Sequence, residues 1–364
     1  MKELLKLLFI TLILSSCKTS NDGFIITGHI EGLKDSTLIT LYDLDQEVNL
    51  DSAISINGNF KMSGKVEYPS SCWIKCLDEY ANIQVENVEI TFESPIKDMH
   101  LNSVINGGKE QELQNKLKKL QRPYDLIYFG AVDSFMNKKY SNDVEMQNLI
   151  KRFSESQSTS HEIYVDFGKR HSNSFFGLNI VYMNRQSIPS DTLKAIFQDL
   201  PVSIKSTPTA KALNVFLYEK VAKVGDSFID FEANTIDGQQ FKLSSLKGQY
   251  IYLSFWSAGC GPCRMENKYL SENFDQVPNN LSIVSFSVDK NKAAWVNASK
   301  ADNINWHNVS DNAGTKGKIK TQYQVQAIPT SFLIDKDGVI IKKFKGFDGD
   351  GNLIEKLKEA IDKI

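Results

Sequence analysis

An apolar segment followed at once by two closely spaced cysteines, at residues 250–263, limits the folds open to this chain. The segment YIYLSFW (250–256) is a continuous apolar run of strand length, which is typical of a strand buried on both faces of a sheet. A short loop follows, and a helix is predicted to begin at Cys260 and to run to about Phe274. The pattern therefore predicts a strand–loop–helix unit of an α/β domain, with a cysteine at the helix N-terminus.

The two cysteines, Cys260 and Cys263, are separated by Gly261 and Pro262. Backbone N–H groups at a helix N-terminus favour negative charge, so they lower the pKa of a thiol placed there and raise its thiolate fraction. Cys263 lies one turn further along, close enough to attack a mixed disulfide formed at Cys260. Pro262 is tolerated because the first helical turn loses no hydrogen bond to its missing N–H. The spacing predicts a redox disulfide, with Cys260 as the nucleophile and Cys263 as the resolving cysteine.

A metal site is the first alternative for these cysteines. Structural zinc takes four ligands, commonly from two such pairs. The other candidates, Cys72 and Cys76, stand four residues apart in a predicted strand, which places them about 13 Å apart and beyond disulfide reach. None of the five histidines has metal-ligand spacing. The sequence therefore predicts small buried side chains at Cys72 and Cys76, and it predicts neither a metal site nor another cofactor.

Three changes of pattern divide the chain. Residues 22–100 contain short β patterns and a hairpin signal at Asn57-Gly58, which predict a small antiparallel β domain of sandwich type. Residues 101–223 have helical spacing and predict a helical segment. Residues 224–364 alternate strand and helix patterns and predict one α/β domain. Within this domain, a polar turn is predicted between the helix KAAWVNASKA and the hairpin TSFLIDKDGVIIKKF.

Charge and composition exclude two broad classes of protein. The chain carries 42 basic and 44 acidic side chains, so it lacks the basic excess that nucleic-acid binding usually requires. Hydrophobic residues make up 41% and charged residues 24%, which is ordinary for globular protein and argues against wholesale disorder. We therefore expect folded domains and no nucleic-acid partner.

Residues 1–17 predict an export signal rather than a part of the fold. Two lysines precede the apolar segment Leu7–Leu14, which has signal-peptide length and is too short to span a bilayer. The sequence LSSC at 14–17 resembles a bacterial lipobox, which implies cleavage before Cys17 and lipidation of that residue. We therefore expect a lipid-anchored protein of the cell envelope that faces the periplasm. An ordinary signal peptide is the alternative.

Two motifs resemble the thioredoxin-like proteins. FWSAGCGPCRME matches their active site in its tryptophan, both cysteines and the Gly-Pro between them. Far downstream, VQAIPTSFLID is similar to their loop with a cis-proline, here Pro329. The resemblance implies that this loop faces the cysteine pair and that the residue before the proline pairs with an incoming peptide. The substrate-binding residues that it implies are Trp256, Gly261, Pro262, Ile328, Pro329 and Thr330.

The resemblance extends to the exported, membrane-tethered branch of TlpA/ResA type. Residues 225–249 resemble its hairpin before the first central strand, and residues 287–306 resemble its extra helix. That branch often has a glutamate three residues after the second cysteine, where this chain has Glu266. The match implies that Glu266 accepts the proton of the Cys263 thiol, provided that burial raises its pKa. A solvent-facing glutamate is the alternative.

The resemblance implies a membrane-anchored thiol–disulfide oxidoreductase, acting on exported proteins with thiols or disulfides. The Gly-Pro pair and Ile328 are similar to the reducing members, which favours a reductase or isomerase recharged by a membrane electron-donor protein. One alternative is a thiol peroxidase on the same fold, although Leu253 stands where a proline is expected. Another is a non-enzymatic envelope lipoprotein. The β segment resembles an uncharacterised module that accompanies such domains in bacterial lipoproteins.

Overall fold

The computed structural model describes residues 22–347, 349 and 351–362. These residues form a β region, a helical region and an α/β domain, in that chain order. The predicted signal peptide and the predicted lipidation site, Cys17, lie outside the described residues. Within the described part of the chain, no helix is both long enough and apolar enough to cross a membrane.

The β region consists of two facing sheets. Its elements are β1 (Phe24–Glu31), β2 (Leu38–Asp43), β3 (Val48–Ile54), β4 (Asn59–Gly64), β5 (Ser70–Cys76), β6 (Glu79–Val85), β7 (Glu89–Pro95), α1 (Met99–Asn102) and β8 (Val104–Asn106). The sheet orders are β4-β1-β7-β8 and β3-β2-β5-β6. Burial alternates along β1 with a period of two, because one face of each sheet packs on a shared apolar core. The pairing of β1 with β7 is parallel, which the antiparallel prediction did not include.

The helical region packs its apolar faces into two small cores. Its helices are α2 (Lys109–Met136), α3 (Asp143–Arg170), α4 (Phe175–Met183), α5 (Ser190–Asp199), α6 (Val202–Lys205) and α7 (Pro208–Tyr218). Leu113 and Leu117 of α2 pack with Phe167 of α3. Their four-residue spacing places both leucines on one face of the helix, as the helical pattern predicts.

The α/β domain contains one seven-stranded sheet among the described residues. Its elements are β9 (Glu232–Thr235), β10 (Gln240–Lys242), β11 (Tyr250–Trp256), α8 (Gly261–Glu272), β12 (Leu281–Ser287), α9 (Lys292–Ala301), β13 (His307–Ser310), α10 (Lys318–Gln322), β14 (Thr330–Ile334), β15 (Ile340–Lys345) and α11 (Leu353–Ile361). The strand order is β10-β9-β13-β12-β11-β14-β15. Strand β11 runs parallel to β12 and antiparallel to β14. This is the predicted thioredoxin-like arrangement.

Strand β11 is buried on both faces, as its continuous apolar sequence predicts. Ile251, Leu253 and Phe255 point into the core on one side of the sheet. Tyr252 points into a second core, on the side covered by α8 and α11. The strand ends at Trp256, and the cysteine pair follows at this edge of the sheet.

The β region and the helical region both contact the α/β domain beside this edge. Asp45, in the turn between β2 and β3, forms an ion pair with Lys316, which follows β13. Its carboxylate oxygen lies 2.6 Å from Nζ of the lysine. The backbone N–H of Lys290, which follows β12, donates to Glu47 over 2.9 Å. The hydroxyl groups of Tyr182 in α4 and Thr321 in α10 lie 3.0 Å apart. The N-terminal regions therefore flank the loops that surround the cysteine pair.

Candidate active site

Cys260 is the N-cap residue of helix α8. Its backbone is extended (φ −93°, ψ 105°), and its Sγ accepts the backbone N–H of Cys263 over 3.2 Å. Pro262 lies in the first turn, where no intrahelical hydrogen bond is lost. The N–H of Cys263 and the N-terminal end of the helix dipole stabilise negative charge on this sulfur when the disulfide is open.

Cys260 and Cys263 form a disulfide in this structure. Cys260 is half-buried and sits beside the exposed Gly261 and Pro262, whereas Cys263 is only 1% exposed. A partner molecule approaching from solvent therefore reaches the first sulfur and not the second. This asymmetry separates an attacking position from a resolving position.

The loop before β14 faces the disulfide. The Ile328–Pro329 peptide bond is cis, as the thioredoxin-like motif implies. The carbonyl oxygen of Ile328 lies 3.6 Å from Sγ of Cys260, and the Ile328 side chain is half-buried. Ile328 and Cys260, 68 residues apart in sequence, thus lie at one surface together with Gly261 and Pro262.

Three of the expected substrate-binding residues, Trp256, Pro329 and Thr330, have buried side chains in this structure and do not line the exposed surface beside Cys260. Trp256 is 1% exposed and packs against Cys263, because it ends β11 with its ring turned into the domain. The Thr330 hydroxyl donates to the carbonyl of Ala327 over 2.7 Å. These residues therefore support the cysteine pair and the proline loop from within the domain.

Glu266 lies one turn after Cys263 and is 2% exposed, so the alternative of a solvent-facing glutamate is wrong. Its Oε1 accepts hydrogen bonds from the hydroxyl of Ser254 (2.7 Å) and from that of Tyr252 (3.1 Å). Burial raises the pKa of Glu266 to about 7, although both hydrogen bonds favour the carboxylate. A carboxyl group with this pKa takes up and releases a proton near neutral pH.

Two further acidic residues hold the loop and the helix in place. Both carboxylate oxygens of Asp289 lie 3.0 Å from the backbone N–H of Ala258, in the loop before the cysteines. Burial raises the pKa of Asp289. Asp302, at the end of α9, forms a bidentate ion pair with Arg264 of α8. The helix that carries both cysteines is thus tied to α9.

The remaining cysteines lie away from this site. Cys72 and Cys76 are free thiols in β5, and both are buried in the core of the β region. Burial raises the pKa of Cys76 to about 11 and that of Cys72 still further, so both thiols stay protonated at neutral pH. Among the described residues, no cluster of three His, Cys, Asp or Glu is placed to hold a metal ion.

Comparison with known proteins assigns the domain that carries this site. The family model described as "AhpC/TSA family" matches residues 224–343. "Thiol-disulfide oxidoreductase ResA" of Bacillus thuringiensis subsp. konkukian (strain 97-27) is 30% identical over 145 residues, which are 40% of this chain and 82% of that protein. The chain belongs to the ResA family of thiol-disulfide oxidoreductases. The predicted class of enzyme is thereby confirmed.

A second curated relative agrees with membership of the ResA family. The ResA of Bacillus subtilis (strain 168) is 29% identical over 133 residues, 36% of this chain and 73% of that protein. A solved thiol-disulfide oxidoreductase from Bacteroides fragilis NCTC 9343 is 28% identical, with 37% of this chain and 98% of that chain covered and a TM-score of 0.34. Residues 24–114 match a domain of unknown function, DUF4369. The β region of this ResA-family enzyme thus brings no known activity.

Sequence reasoning found the cysteines and Glu266 of this ResA-family enzyme but missed the hydroxyl groups around the carboxylate. Besides Tyr252 and Ser254, the network includes Ser331 of β14, whose Oγ lies 3.0 Å from that of Ser254. A signal was present, because a serine inside the apolar run YIYLSFW needs a buried hydrogen-bond partner. Glu266 is that partner.

Proposed function

We propose that this enzyme is anchored in the cell envelope by lipid and exchanges its cysteine pair with thiols or disulfides of exported proteins, as a reductase or isomerase. The observation that carries the proposal is the asymmetry of the pair: a half-buried Cys260 at a helix N-terminus, and a buried Cys263 one turn before the buried Glu266. That arrangement supplies an attacking sulfur, a resolving sulfur and a proton acceptor.

The first step is the attack of Cys260 on a disulfide of the substrate. The Cys260 thiolate donates an electron pair to one substrate sulfur, so a mixed disulfide forms and the substrate S–S bond breaks. The released substrate sulfur leaves as a thiolate and takes a proton from solvent. The carbonyl of Ile328 and the exposed Gly261 and Pro262 border the attacking sulfur, and they offer the substrate backbone a place to pair.

The second step releases the substrate. The Cys263 thiol gives its proton to the carboxylate of Glu266, and the resulting thiolate attacks the sulfur of Cys260. The Cys260–Cys263 disulfide forms, the mixed disulfide breaks, and the second substrate sulfur leaves as a thiol with the proton. Two electrons pass from the enzyme to the substrate. Glu266 is suited to this transfer because burial brings its pKa to about 7.

Another round requires two electrons from outside. We propose that the dithiol of a membrane electron-donor protein reduces the Cys260–Cys263 disulfide and becomes oxidised itself. The Gly-Pro pair between the cysteines supports a reducing role, whereas thiolate stabilisation at the helix N-terminus works in the oxidising direction. A measured reduction potential near that of strong oxidants, about −120 mV, would contradict this direction.

The location in the envelope depends on Cys17 and the segment before it. The proposed lipid anchor predicts that the protein sediments with membranes and incorporates radiolabelled palmitate. Replacement of Cys17 by Ser should remove the label and release the protein from the membrane fraction. If the wild-type protein carries no label, an ordinary signal peptide replaces the lipobox interpretation.

The exchange with exported proteins is tested by trapping. In Cys263→Ala, Cys260 still attacks but the mixed disulfide is not resolved, so substrates should accumulate as covalent adducts that dithiothreitol releases. The matched control is Cys260→Ala together with Cys263→Ala, which should trap nothing. Cys72→Ala in the Cys263→Ala background should trap as efficiently as Cys263→Ala alone, because the thiol of Cys72 is buried in the β region. An envelope in which Cys263→Ala traps no protein would contradict the proposal.

A further inference from the structure

A cavity of about 750 Å³ lies where the three regions of the chain meet. Tyr80 and His100 of the β region line it, together with Tyr182 and Arg185 of the helical region. From the α/β domain, Lys320 and the residues 326–328 contribute. The volume falls within the range of about 300–1,000 Å³ that is typical of sites for drug-sized ligands.

Arg185 is an unsatisfied cation in the wall of this cavity. Its side chain is buried, with the residue only 2% exposed, and its guanidinium lies 4.1 Å from the centre of the Tyr182 ring. Nη1 donates to the carbonyl of Tyr182 over 2.7 Å. Nε and Nη2 have no hydrogen-bond partner among the described residues. Both atoms are covered by protein, and the centre of the Phe216 ring lies 5.4 Å from the guanidinium, so Arg185 acts on the cavity through its charge rather than through these two donors.

A second buried cation stands nearby. Lys320 is 7% exposed, and its Nζ donates to the carbonyl of Val325 over 2.8 Å. Burial, followed by repulsion from Arg185, lowers the pKa of Lys320 to about 8. No carboxylate of the described residues forms an ion pair with either cation. Of the two acids in the cavity wall, Asp45 pairs with Lys316, and Asp125 interacts with Arg122, His100 and Lys118. The wall therefore has an excess of positive charge where an anion would be stabilised.

The cationic wall is continuous with the active site. Lys320 bonds the carbonyl of Val325, three residues before Ile328. That segment spans at most about 10 Å when fully extended. The side of the loop that includes Ile328 lines the cavity, while the carbonyl of Ile328 lies 3.6 Å from Sγ of Cys260. A peptide of a few residues is therefore long enough to reach from Cys260 into the cavity.

We propose that this cavity binds the free C-terminal carboxylate of a peptide substrate whose cysteine reacts at Cys260, with Arg185 as the anchor. The inference rests on the proposed exchange activity and adds a substrate class to it. A buried guanidinium that has no carboxylate partner in the described part of the chain stabilises a negative charge placed in the cavity beside it. Lys320 adds a second positive charge on the same side. The preferred substrates are then peptides with a cysteine within about five residues of their C-terminus.

The test compares matched peptides. Acetylated peptides with a single cysteine followed by one to five alanines are oxidised to symmetrical disulfides, each as the free acid and as the C-terminal amide. Each peptide disulfide is mixed with the reduced full-length protein, and the second-order rate constant of thiol release is measured in a single turnover, in which the Cys260–Cys263 dithiol supplies the two electrons. For the best peptide length, we expect the rate constant of the free acid to exceed that of the amide about tenfold, because the amide lacks the negative charge that interacts with the buried arginine.

Variants locate this preference in the cavity. In Arg185→Gln the ratio of acid to amide should fall to about one, and Lys320→Met should lower it in part. Arg122→Gln is the matched control. Arg122 lies on α2, donates to the carbonyl of Leu101 in α1 and does not line the cavity, so this variant should keep the wild-type ratio. If Arg185→Gln fails to fold, the ratio of acid to amide in the wild type and in Lys320→Met still tests the carboxylate site.

The outcomes separate the two proposals. Turnover of the amides with a wild-type ratio of one at every length overturns the carboxylate site and leaves the exchange activity intact. Turnover of neither series overturns the exchange activity, and the carboxylate site with it. A tenfold ratio that survives in Arg185→Gln also overturns the site, because the preference then arises elsewhere on the surface.

Discussion

In the proposed resolving step, we assign to Glu266 the role of proton acceptor. Replacement by Gln keeps the size of the side chain and its contacts with Ser254 and Tyr252 but removes the proton acceptor. We expect the release of the mixed disulfide to slow about 100-fold in Glu266→Gln, while formation of the mixed disulfide at Cys260 changes little. Quenched-flow analysis with a chromogenic disulfide separates the two steps.

Glu272→Gln is the matched control for this measurement. Glu272 lies on the same helix but is exposed, so its replacement should leave both steps unchanged. Equal slowing of attack and release in Glu266→Gln would contradict the assigned role, because a general disturbance of the helix affects both sulfurs.

The raised pKa of Glu266 predicts that the stability of the protein depends on pH. Burial raises the pKa of Glu266 from 4.5 to about 7, so between these values the folded state holds a proton that the unfolded state has lost. The free energy of unfolding should therefore fall as the pH rises from about 4.5 to 7, by up to roughly 3 kcal/mol from this group. Urea unfolding of the oxidised protein, in which the two cysteines do not titrate, measures it.

Glu266→Gln should remove that part of the pH dependence. The difference in stability between variant and wild type should grow in favour of the variant from pH 4.5 to pH 7 and stay constant above it. A difference that is flat across this window would show that the carboxyl group has an ordinary pKa. Other buried acids whose pKa is raised, such as Asp289, affect both proteins equally and cancel.

The sequence singles out Cys260, Cys263 and Glu266 for two reasons. Thiols and carboxyl groups are reactive side chains, and the three residues follow one another at intervals of three along one predicted helix. The environment of Glu266 is less accessible to such reasoning. It depends on Tyr252 and Ser254, which stand at least twelve residues earlier and come to the carboxylate only through the packing of α8 on β11. Burial, and with it the raised pKa, is a property of that packing.

At the scale of whole elements, a buried ion pair joins helix α8 to α9, beside the packing of Cys263 against Trp295. Arg264 binds Asp302 with two hydrogen bonds, and the side chain of Asp302 is fully buried while that of Arg264 is 27% exposed. Replacement of Arg264 by Met leaves a buried carboxylate without its partner. We expect a loss of about 2 kcal/mol in the free energy of unfolding, below the value for a fully buried pair because the arginine is partly exposed.

A double variant distinguishes the ion pair from general packing. Arg264→Met together with Asp302→Leu removes the stranded charge and should recover at least half of the loss. Lys268→Met on the exposed side of α8 serves as the control and should change the stability by less than about 0.5 kcal/mol. If the double variant is no more stable than Arg264→Met, packing rather than charge accounts for the effect.

The sequence predicts strands β11, β12 and β14 correctly because they are apolar and bounded by turn residues. It misses β13 and α10, since the segment between α9 and the final hairpin reads as a polar turn. In the structure, the polar residues of β13 are paired within the domain. Asn308 accepts the indole N–H of Trp295 over 3.0 Å, and Ser310 donates to the carbonyl of Ser287 over 2.8 Å. A buried strand built from paired polar side chains leaves no apolar pattern to detect.

Sequence patterns say least about how the β region, the helical region and the α/β domain pack against one another. The cavity between them is lined by residues as distant as Tyr80, Arg185 and Ile328, none of which belongs to a common motif. A lone arginine at 185 in a helical segment is ordinarily a surface residue. The fold buries it against the rings of Tyr182 in α4 and Phe216 in α7, which no local sequence pattern indicates.

The last prediction is that the ion pair of Asp45 with Lys316 stabilises the interface between the β region and the α/β domain. Asp45 and Lys316 form a 2.6 Å ion pair whose side chains are 31% and 11% exposed, and the neighbouring amide of Lys290 donates to Glu47 across the same interface. In Asp45→Asn the exchange of that amide with deuterium should accelerate about fivefold, which corresponds to about 1 kcal/mol of interface stability. Amides of β12 should keep their rates, as NMR can measure.

Asp133→Asn breaks the pair of Asp133 with Lys139, whose side chains are 53% and 59% exposed, and should leave the Lys290 amide unchanged. Equal acceleration at Lys290 and throughout β12 would mean that Asp45→Asn weakens the whole domain rather than the interface. No acceleration at Lys290 would mean that the β region is held by its other contacts. Selective acceleration would show that the cavity wall opens separately from the sheet, because Lys316 belongs to both the ion pair and the cavity.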